Sequence, residues 1–427
     1  MARPPAGAGD VVKDEGARPA TVLGCGFVIA SCIFGISFFN HKTYPLVFVA
    51  CTALAGIAYL QTLRLLARLS GGTNRVLALC LMLAAVWRVP LLLQPPTLST
   101  DIYRYVWDGR IQNLGYDPYT IVPGNSEFRR LHTPETLLMN HPNVPTPYPA
   151  AAELFFRAVM MVDESARALK SAFFVCDIAI VAVLLDWLVA CNRSPWWVLS
   201  YAWNPLVAIE GAGNGHVDLL GALCLVVAAS ALARRKRTLA ALAFALGVGV
   251  KFLPVTLAPL FWDRIRLRDA ILGVAVLAVL YIPFLGHGKL PLGSLREYLA
   301  HWRINAPVYS ALERVFPSAW LVAVPPASGF AVALWARWRL ALDAPEAWAW
   351  PAAITLIFAP TIYPWYLLWL TPFLFSEKTL ALAAWTAGSL FFYWSLPVWA
   401  ITLVEYSPAL SVAGWMFAKS VKARRVR

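Results

Sequence analysis

The densest chemistry in the chain lies in Ser99-Thr100-Asp101-Ile102-Tyr103-Arg104-Tyr105-Val106-Trp107-Asp108-Gly109-Arg110, followed by Gly115-Tyr116-Asp117-Pro118-Tyr119. On a helix opening at Thr100, positions 101, 104, 105 and 108 share a face, which sets two carboxylates beside Arg104. A carboxylate at a dry boundary next to cations can act as a general base or hold a cation. The same residues also suit a plain helix start followed by surface ion pairs. Lys251 stands in Gly249-Val250-Lys251-Phe252-Leu253-Pro254, and a lysine in so apolar a run is a functional candidate by default, or else half of a structural pair with Glu210 or Asp218. Arg303, in His301-Trp302-Arg303-Ile304-Asn305, offers a planar fork that suits phosphate, with loop packing as the plain alternative. Glu210-Gly-Ala-Gly-Asn214-Gly-His216-Val-Asp218 gathers polar side chains among glycines, but His216 and Asp218 are too few ligands for a zinc site.

A membrane bundle must position these groups. Of 427 residues, 59% are hydrophobic and 14% charged, a balance that excludes an ordinary soluble enzyme. Runs such as 77–93, 168–190, 217–233 and 380–398 are long enough as helices to cross about 30 Å of hydrocarbon. The 19 Trp, 15 Tyr and 22 Phe favour the membrane–water boundary. The net charge of +13 is not gathered into one stripe with interleaved aromatics, so it reads as membrane topology and no nucleic-acid partner is expected. None of the seven cysteines forms a CxxC pair, and no carboxylate cluster has ligand spacing; neither a disulfide framework nor a divalent metal is expected.

Thirteen apolar runs lie between residues 21 and 418. They alternate across the membrane if the basic connections around Arg64, Arg193, Arg234-Arg235-Lys236-Arg237, Arg264-Ile-Arg266-Leu-Arg268 and Arg337 face the cytoplasm. Run 239–262 breaks the alternation, because basic clusters flank both its ends. It reads as a re-entrant hairpin with Lys251 at its tip, facing a cavity that tolerates irregular backbone. The expected fold is an all-α polytopic membrane protein of about 12 transmembrane helices plus this hairpin. Residues 21–418 form a single domain with two long outer loops at about 95–167 and 287–318, between a disordered cytoplasmic tail over 1–20, retained rather than cleaved, and a basic cytoplasmic tail over 419–427. Residues 151–162 suit an amphipathic helix on the outer surface, and Arg88, beside Pro90, is expected to snorkel outward. No internal repeat is visible.

In order along the chain stand Asp101-x-Tyr-Arg-Tyr-x-Trp-Asp-Gly-Arg110 with Gly115-x-x-Pro-Tyr119, Asn140-His-Pro-Asn-Val-Pro-Thr-Pro-Tyr-Pro149, Asn204-Pro-Leu206, the segment 210–218, Gly249-Val-Lys-Phe-Leu-Pro254, and Tyr363-Pro-Trp-Tyr-Leu-Leu-Trp-Leu-Thr-Pro372. With these, residues 76 to 376 resemble the C-type, multi-spanning glycosyltransferases that use polyprenyl-phosphate sugars, in particular the bacterial mannosyltransferase-like branch. The resemblance implies the C-type fold and an inverting transfer. An acid at the head of the first outer loop takes the proton of an acceptor hydroxyl, which attacks the sugar carbon as the lipid phosphate leaves. Asp101 matches that acid. Many relatives carry a paired acidic motif here; this chain has Asp101 alone, followed by Tyr103 and Arg104, which leaves open whether Asp108 assists.

A leaving phosphate needs cations or donors beside it, for which the candidates are Lys251 and Arg303, with Tyr363 and Trp365 facing the donor lipid. Tyr103, Arg104, Asp108, Arg110, Asn214 and His216 are the expected substrate contacts. No nucleotide-binding glycine loop is evident, which fits a lipid-borne donor and no separate cofactor. The implied protein sits in the bacterial plasma membrane with its active site on the outer face and transfers mannose to a lipid-linked glycan, glycolipid or envelope polysaccharide; nothing signals an oligomeric state. The competing class is a transporter or flippase in which Lys251, Asp177, Asp186 and Arg88 line a path. It leaves two outer loops rich in Asp, Arg, Tyr and Trp unexplained.

Overall fold

The structure, a computed structural model, describes residues 17–39, 41–69, 71–286 and 291–425. Helices α1 (Pro19–Phe38), α2 (Pro45–Leu66) and α3 (Asn74–Leu93) come first. Proline opens α1 and α2 at a position whose N–H has no helical partner anyway. The first long loop holds α4 (Asp101–Asn113) and α5 (Ala150–Met160), and α6 (Ala166–Ala190) follows, capped by the Ser165 hydroxyl, which accepts from Ala168 N–H at 3.1 Å. Then come α7 (Leu199–Ala202), a π-helical stretch (Val207–Asn214), α8 (Asp218–Ala233), α9 (Arg237–Val250), a 3-10 segment (Leu253–Phe261) and α10 (Leu267–Tyr281). The second loop carries α11 (Leu295–His301) and α12 (Pro307–Glu313). The chain ends through α13 (Ser318–Leu321), α14 (Val324–Arg339), α15 (Glu346–Ile357), a 3-10 segment (Pro364–Trp369), α16 (Leu380–Gly388) and α17 (Val398–Arg425). Among the described residues there is no β-strand, only two isolated bridges.

Six stretches among the described residues are long and apolar enough to cross a bilayer: Pro19–Phe38, Pro45–Leu66, Asn74–Leu93, Ala166–Ala190, Leu267–Phe284 and Ser318–Arg339. The chain is an all-helical integral membrane protein. Several other apolar runs are broken into short pieces, so the dozen crossings expected from the sequence are not a dozen continuous helices. Proline and glycine are the reason: Pro205 and Gly211 interrupt run 196–212, with Pro195 just before it and Gly213 just after, and Pro254 follows the break in run 239–262. Lipid leaves no free backbone partner, so such segments must be enclosed by protein, and residues 198–212 are all buried. Of the tail expected over 1–20, residues 1–16 lie outside the described residues, and α1 opens at Pro19; α17 continues through the basic end as far as Arg425.

Helices α9 and α10 lie side by side and run in the same direction. Near their starts the Thr238 hydroxyl donates to Asp269 at 2.6 Å. Further along, Gly273 lies against Ala241 and Ala245, and beyond them Gly249 lies against Leu277 and Leu280. Two parallel neighbours require the chain between them to return, and Leu253–Phe261 is that return.

Arg88 does not snorkel outward. Its Nε donates to Asp177 Oδ2 at 2.6 Å and its Nη1 to the carbonyls of Ala84 and Ala202, at 2.9 and 3.0 Å, so turning inward gives it three acceptors that tie α3 to α6 and α7. Asp186, the next acid along α6, pairs instead with Arg234 at 2.6 Å, and Lys251 pairs elsewhere with Asp218. The charges assigned to a transport path are thus separate ion pairs. Breaking a buried pair from one side leaves an uncompensated charge, so Asp177→Leu should cost about 3–5 kcal/mol of stability. The double variant Arg88→Met/Asp177→Leu should recover most of it; fluorescence-detected melting in detergent measures both.

Candidate active site

A cavity of about 710 Å³ opens where the two loops meet the helix ends. Its polar lining includes Asp101, Arg104, Asn140, Asp218 and Lys251, and its aromatic walls include Tyr298, Trp302, Tyr363, Trp365 and Tyr366. The loops are joined above it: Ser294 N–H and Oγ donate to the carbonyls of Thr146 and Pro145, at 3.2 and 2.8 Å, and the His141 and Trp302 rings lie 4.2 Å apart.

Asp101 is the first residue of α4, where the helix dipole favours a carboxylate. The Asn140 amide donates to its Oδ1 at 2.5 Å, and its Oδ2 lies 3.9 Å from Nδ1 of His216. On its far side His216 places Nε2 3.2 Å from Glu210 Oε2, yet neither ring nitrogen meets hydrogen-bond geometry. Trp365 stacks on the His216 ring at 4.1 Å, and Tyr363 stacks on Trp365 at 4.3 Å. His216 is therefore a buried ring behind the cavity wall, between two carboxylates. Glu210 also accepts from the Tyr393 hydroxyl at 2.7 Å and the Asn214 amide at 3.0 Å. Asn214 Oδ1 accepts from Leu98 N–H at 3.1 Å, so Asn214 stitches the π-helical stretch to the strand of chain leading into Asp101 rather than lining the cavity. Gly215, at φ 73°, makes the left-handed turn that follows, and a Cβ there would sit 2.6 Å from Ile102.

Lys251 stands at the break between α9 and the 3-10 segment. Its Nζ donates to Asp218 Oδ1 at 2.7 Å and lies 3.6 Å from the centre of the Tyr366 ring. The Trp369 indole donates to the same Asp218 oxygen at 2.6 Å. Asp218 is buried, whereas Lys251 is partly open to the cavity; an ammonium has three protons, and Asp218 takes one. Arg104 donates from Nε to both oxygens of Asp108, at 2.9 and 3.0 Å, and from Nη1 to Val144 O at 3.0 Å.

The cavity thus gathers Asp101, Arg104, Lys251, Tyr363 and Trp365, while five other expected contacts, along with His216 behind the wall, stand off it. Tyr103 faces away from it around α4; burial, and then the charge of Glu135, push its phenol up. Asp108 shares the Arg104 face but lies about 10 Å along the helix from Asp101, fully buried beside Glu153. Arg110 pairs with Glu164 and donates to Leu131 O. Arg303 is held by Glu313 at 3.2 Å and over the Tyr309 ring, so its fork is already occupied. Asn214, as above, serves the backbone. Residues that the sequence reading gave no role include Asn140, Tyr298 and Trp302; Asn140 opened a quoted motif, but nothing in its type shows that its amide would meet Asp101.

A family model described as alpha-(1->6)-mannopyranosyltransferase, N-terminal domain, matches residues 23–263, more than half of the chain. The chain belongs to this mannosyltransferase family. It is a membrane glycosyltransferase of mannose, and a transporter is not favoured. The matched region contains Asp101, Asn140, Asp218 and Lys251 and ends before the second loop and the aromatic segment from Tyr363. No curated protein and no solved structure shows significant similarity to the chain.

The buried neighbours of the mannosyltransferase's α4 generate a pH dependence. Glu153 accepts from the Thr146 hydroxyl at 2.6 Å and the Gln112 amide at 2.9 Å, and burial, followed by the charge of Asp108, raises its carboxyl well above its ordinary value near 4.5. A carboxyl raised on folding stabilises the fold fully below the unfolded value, and that contribution falls as pH rises toward the folded value. Glu153→Gln fixes the neutral form. Between about pH 5 and 8, above the unfolded value, wild type should lose more melting temperature than the variant.

Proposed function

We propose that the protein transfers mannose, with inversion, from a polyprenyl-phosphate carrier to a hydroxyl of a lipid-linked or cell-envelope glycan, on the outer face of the bacterial plasma membrane. One observation carries this reading: an acid oriented by an amide, Asp101 with Asn140, shares a cavity with an ammonium, Lys251, at the junction of loops and membrane helices. Asp101 takes the proton of the acceptor hydroxyl as its oxygen attacks the anomeric carbon. The bond from that carbon to the phosphate oxygen breaks, and its electron pair stays on the phosphate, beside Lys251. For the α-linked product after which the family is described, a single inversion requires a β-linked donor.

Arg104 borders the same space and adds positive charge, while Tyr363 offers a ring face to sugar or isoprenoid and Trp365, held in the stack between His216 and Tyr363, offers its edge. The reaction in this reading uses no cofactor and no divalent ion. Tyr103, Asp108, Arg110, Asn214 and Arg303 act by holding the loops and α4 in place, and His216 by backing Asp101 and Trp365. The parallel course of α9 and α10 supports a re-entrant hairpin with Lys251 at its tip, and the shorter helical pieces, paired end to end, complete about twelve crossings.

The test is transfer of labelled mannose from polyprenyl-phosphate-mannose to extracted envelope lipids in detergent, comparing wild type with Asp101→Asn. The variant should express and melt like wild type and lose transfer by about 10²-fold or more. Near-normal turnover by the variant would remove Asp101 from the chemistry.

A further inference from the structure

The far end of α9 carries a second cavity, of about 320 Å³, lined by Arg235, Arg237, Thr238, Arg266, Arg268 and Asp269. The 14 residues of α9 set it roughly 20 Å from Lys251, so it is no part of the candidate active site. Its lining comes from two turns, the one between α8 and α9 and the one entering α10, which the parallel course of α9 and α10 brings together. Four guanidinium groups stand against one carboxylate. Asp269 is already committed, to the Thr238 hydroxyl at 2.6 Å and to Arg266 N–H at 3.1 Å. Among the described residues none of the four arginines is in an ion pair, whereas Arg234, next to them, is held by Asp186.

The helices worsen the imbalance. Antiparallel neighbours oppose their dipoles, but α9 and α10 start at the same place, so two partial positive charges add to the arginines. An anion relieves that repulsion, and planar guanidinium forks match the oxygens of a phosphate. A second feature adjoins the cavity. From the first residue of α10, Leu267, Ile271 and Val274 rise along one face and are 77%, 59% and 67% exposed, an apolar strip facing lipid.

We propose that this cavity binds the phosphate headgroup of an anionic membrane phospholipid, whose acyl chains lie along Leu267, Ile271 and Val274. The lipid neutralises the base of the segment whose tip carries Lys251. Basic clefts between membrane helices are suited to such headgroups, and the adjoining strip distinguishes a lipid from a free anion.

The full chain, purified in neutral detergent, is titrated with phosphatidylglycerol, phosphatidylcholine or inorganic phosphate, and binding is read by native mass spectrometry and melting. Phosphatidylglycerol should bind and raise the melting temperature, with phosphatidylcholine and phosphate far weaker. Arg266→Gln/Arg268→Gln should weaken phosphatidylglycerol binding on the order of 30-fold. Lys236→Gln, which removes an exposed charge from the same turn but not from the cavity, should change it by less than about twofold. Should the double variant not fold, Arg268→Gln alone, with an expected loss of about fivefold, is read the same way. Equal binding of phosphatidylcholine, displacement of the lipid by millimolar phosphate, unchanged binding by the arginine variants, or an equal loss in Lys236→Gln would each overturn the proposal.

Discussion

Lys251 and Asp218 meet at 2.7 Å in a setting where neither could be left alone, because a buried charge stripped of its partner costs several kcal/mol. Their meeting imposes geometry on three separate parts of the chain. Helix α9 must stop at Val250 so that Lys251, in extended backbone, can turn toward α8. Helix α8 must begin at Asp218, which follows from the π-helical stretch ending in the left-handed turn at Gly215. The segment from Pro364 must bring the Trp369 indole to the same carboxylate oxygen, and Gly221 allows this: a Cβ there would sit 2.0 Å from the Trp369 ring. Broken helices, a glycine one turn into α8 and an aromatic 3-10 segment are thus consequences of one buried pair.

The other half of the site is fixed from above the helices. Gly293, at φ 49°, lies so close to the Thr146 carbonyl that no side chain fits between them, and Ser294 bonds to the same stretch of the first loop. That contact holds Asn140 and His141 over the cavity, Asn140 on Asp101 and His141 against Trp302. The stack of His216, Trp365 and Tyr363 then runs from behind Asp101 to the cavity wall and couples the acid to the aromatic segment. Asp101 and Lys251 belong to different elements, and both reach the same aromatic segment, Asp101 through His216 and Trp365 and Lys251 through Tyr366.

Much of this was legible in the sequence, and the limits were physical. Composition and apolar runs were enough for a helical membrane protein, and Lys251 stood out because charge in such a run is rare. Its partner stayed open between Glu210 and Asp218, since the two lie eight residues apart in one glycine-rich segment and the turn at Gly215 decides between them. Arg88 looked free to reach water because Asp177, which takes it, is 89 residues away. Arg303 looked like a phosphate grip until its contact with Glu313 occupied the fork. On α4 the shared face of Asp101, Arg104 and Asp108 was readable from helical spacing, but not how deep the loop packing would bury Asp108. The number of continuous spans was not readable from hydropathy, which does not register where proline and glycine interrupt a helix inside protein.

In the proposed reaction the sugar's anomeric carbon and its leaving phosphate lie between Asp101 and Lys251. A structure of the protein with polyprenyl-phosphate-mannose bound tests it most directly. The phosphate should contact the Lys251 ammonium and the anomeric carbon should face Asp101, with the isoprenoid leaving toward the membrane. A phosphate held by Arg303, or by the arginine cavity at the base of α9, with the space between Asp101 and Lys251 left unfilled, would contradict it.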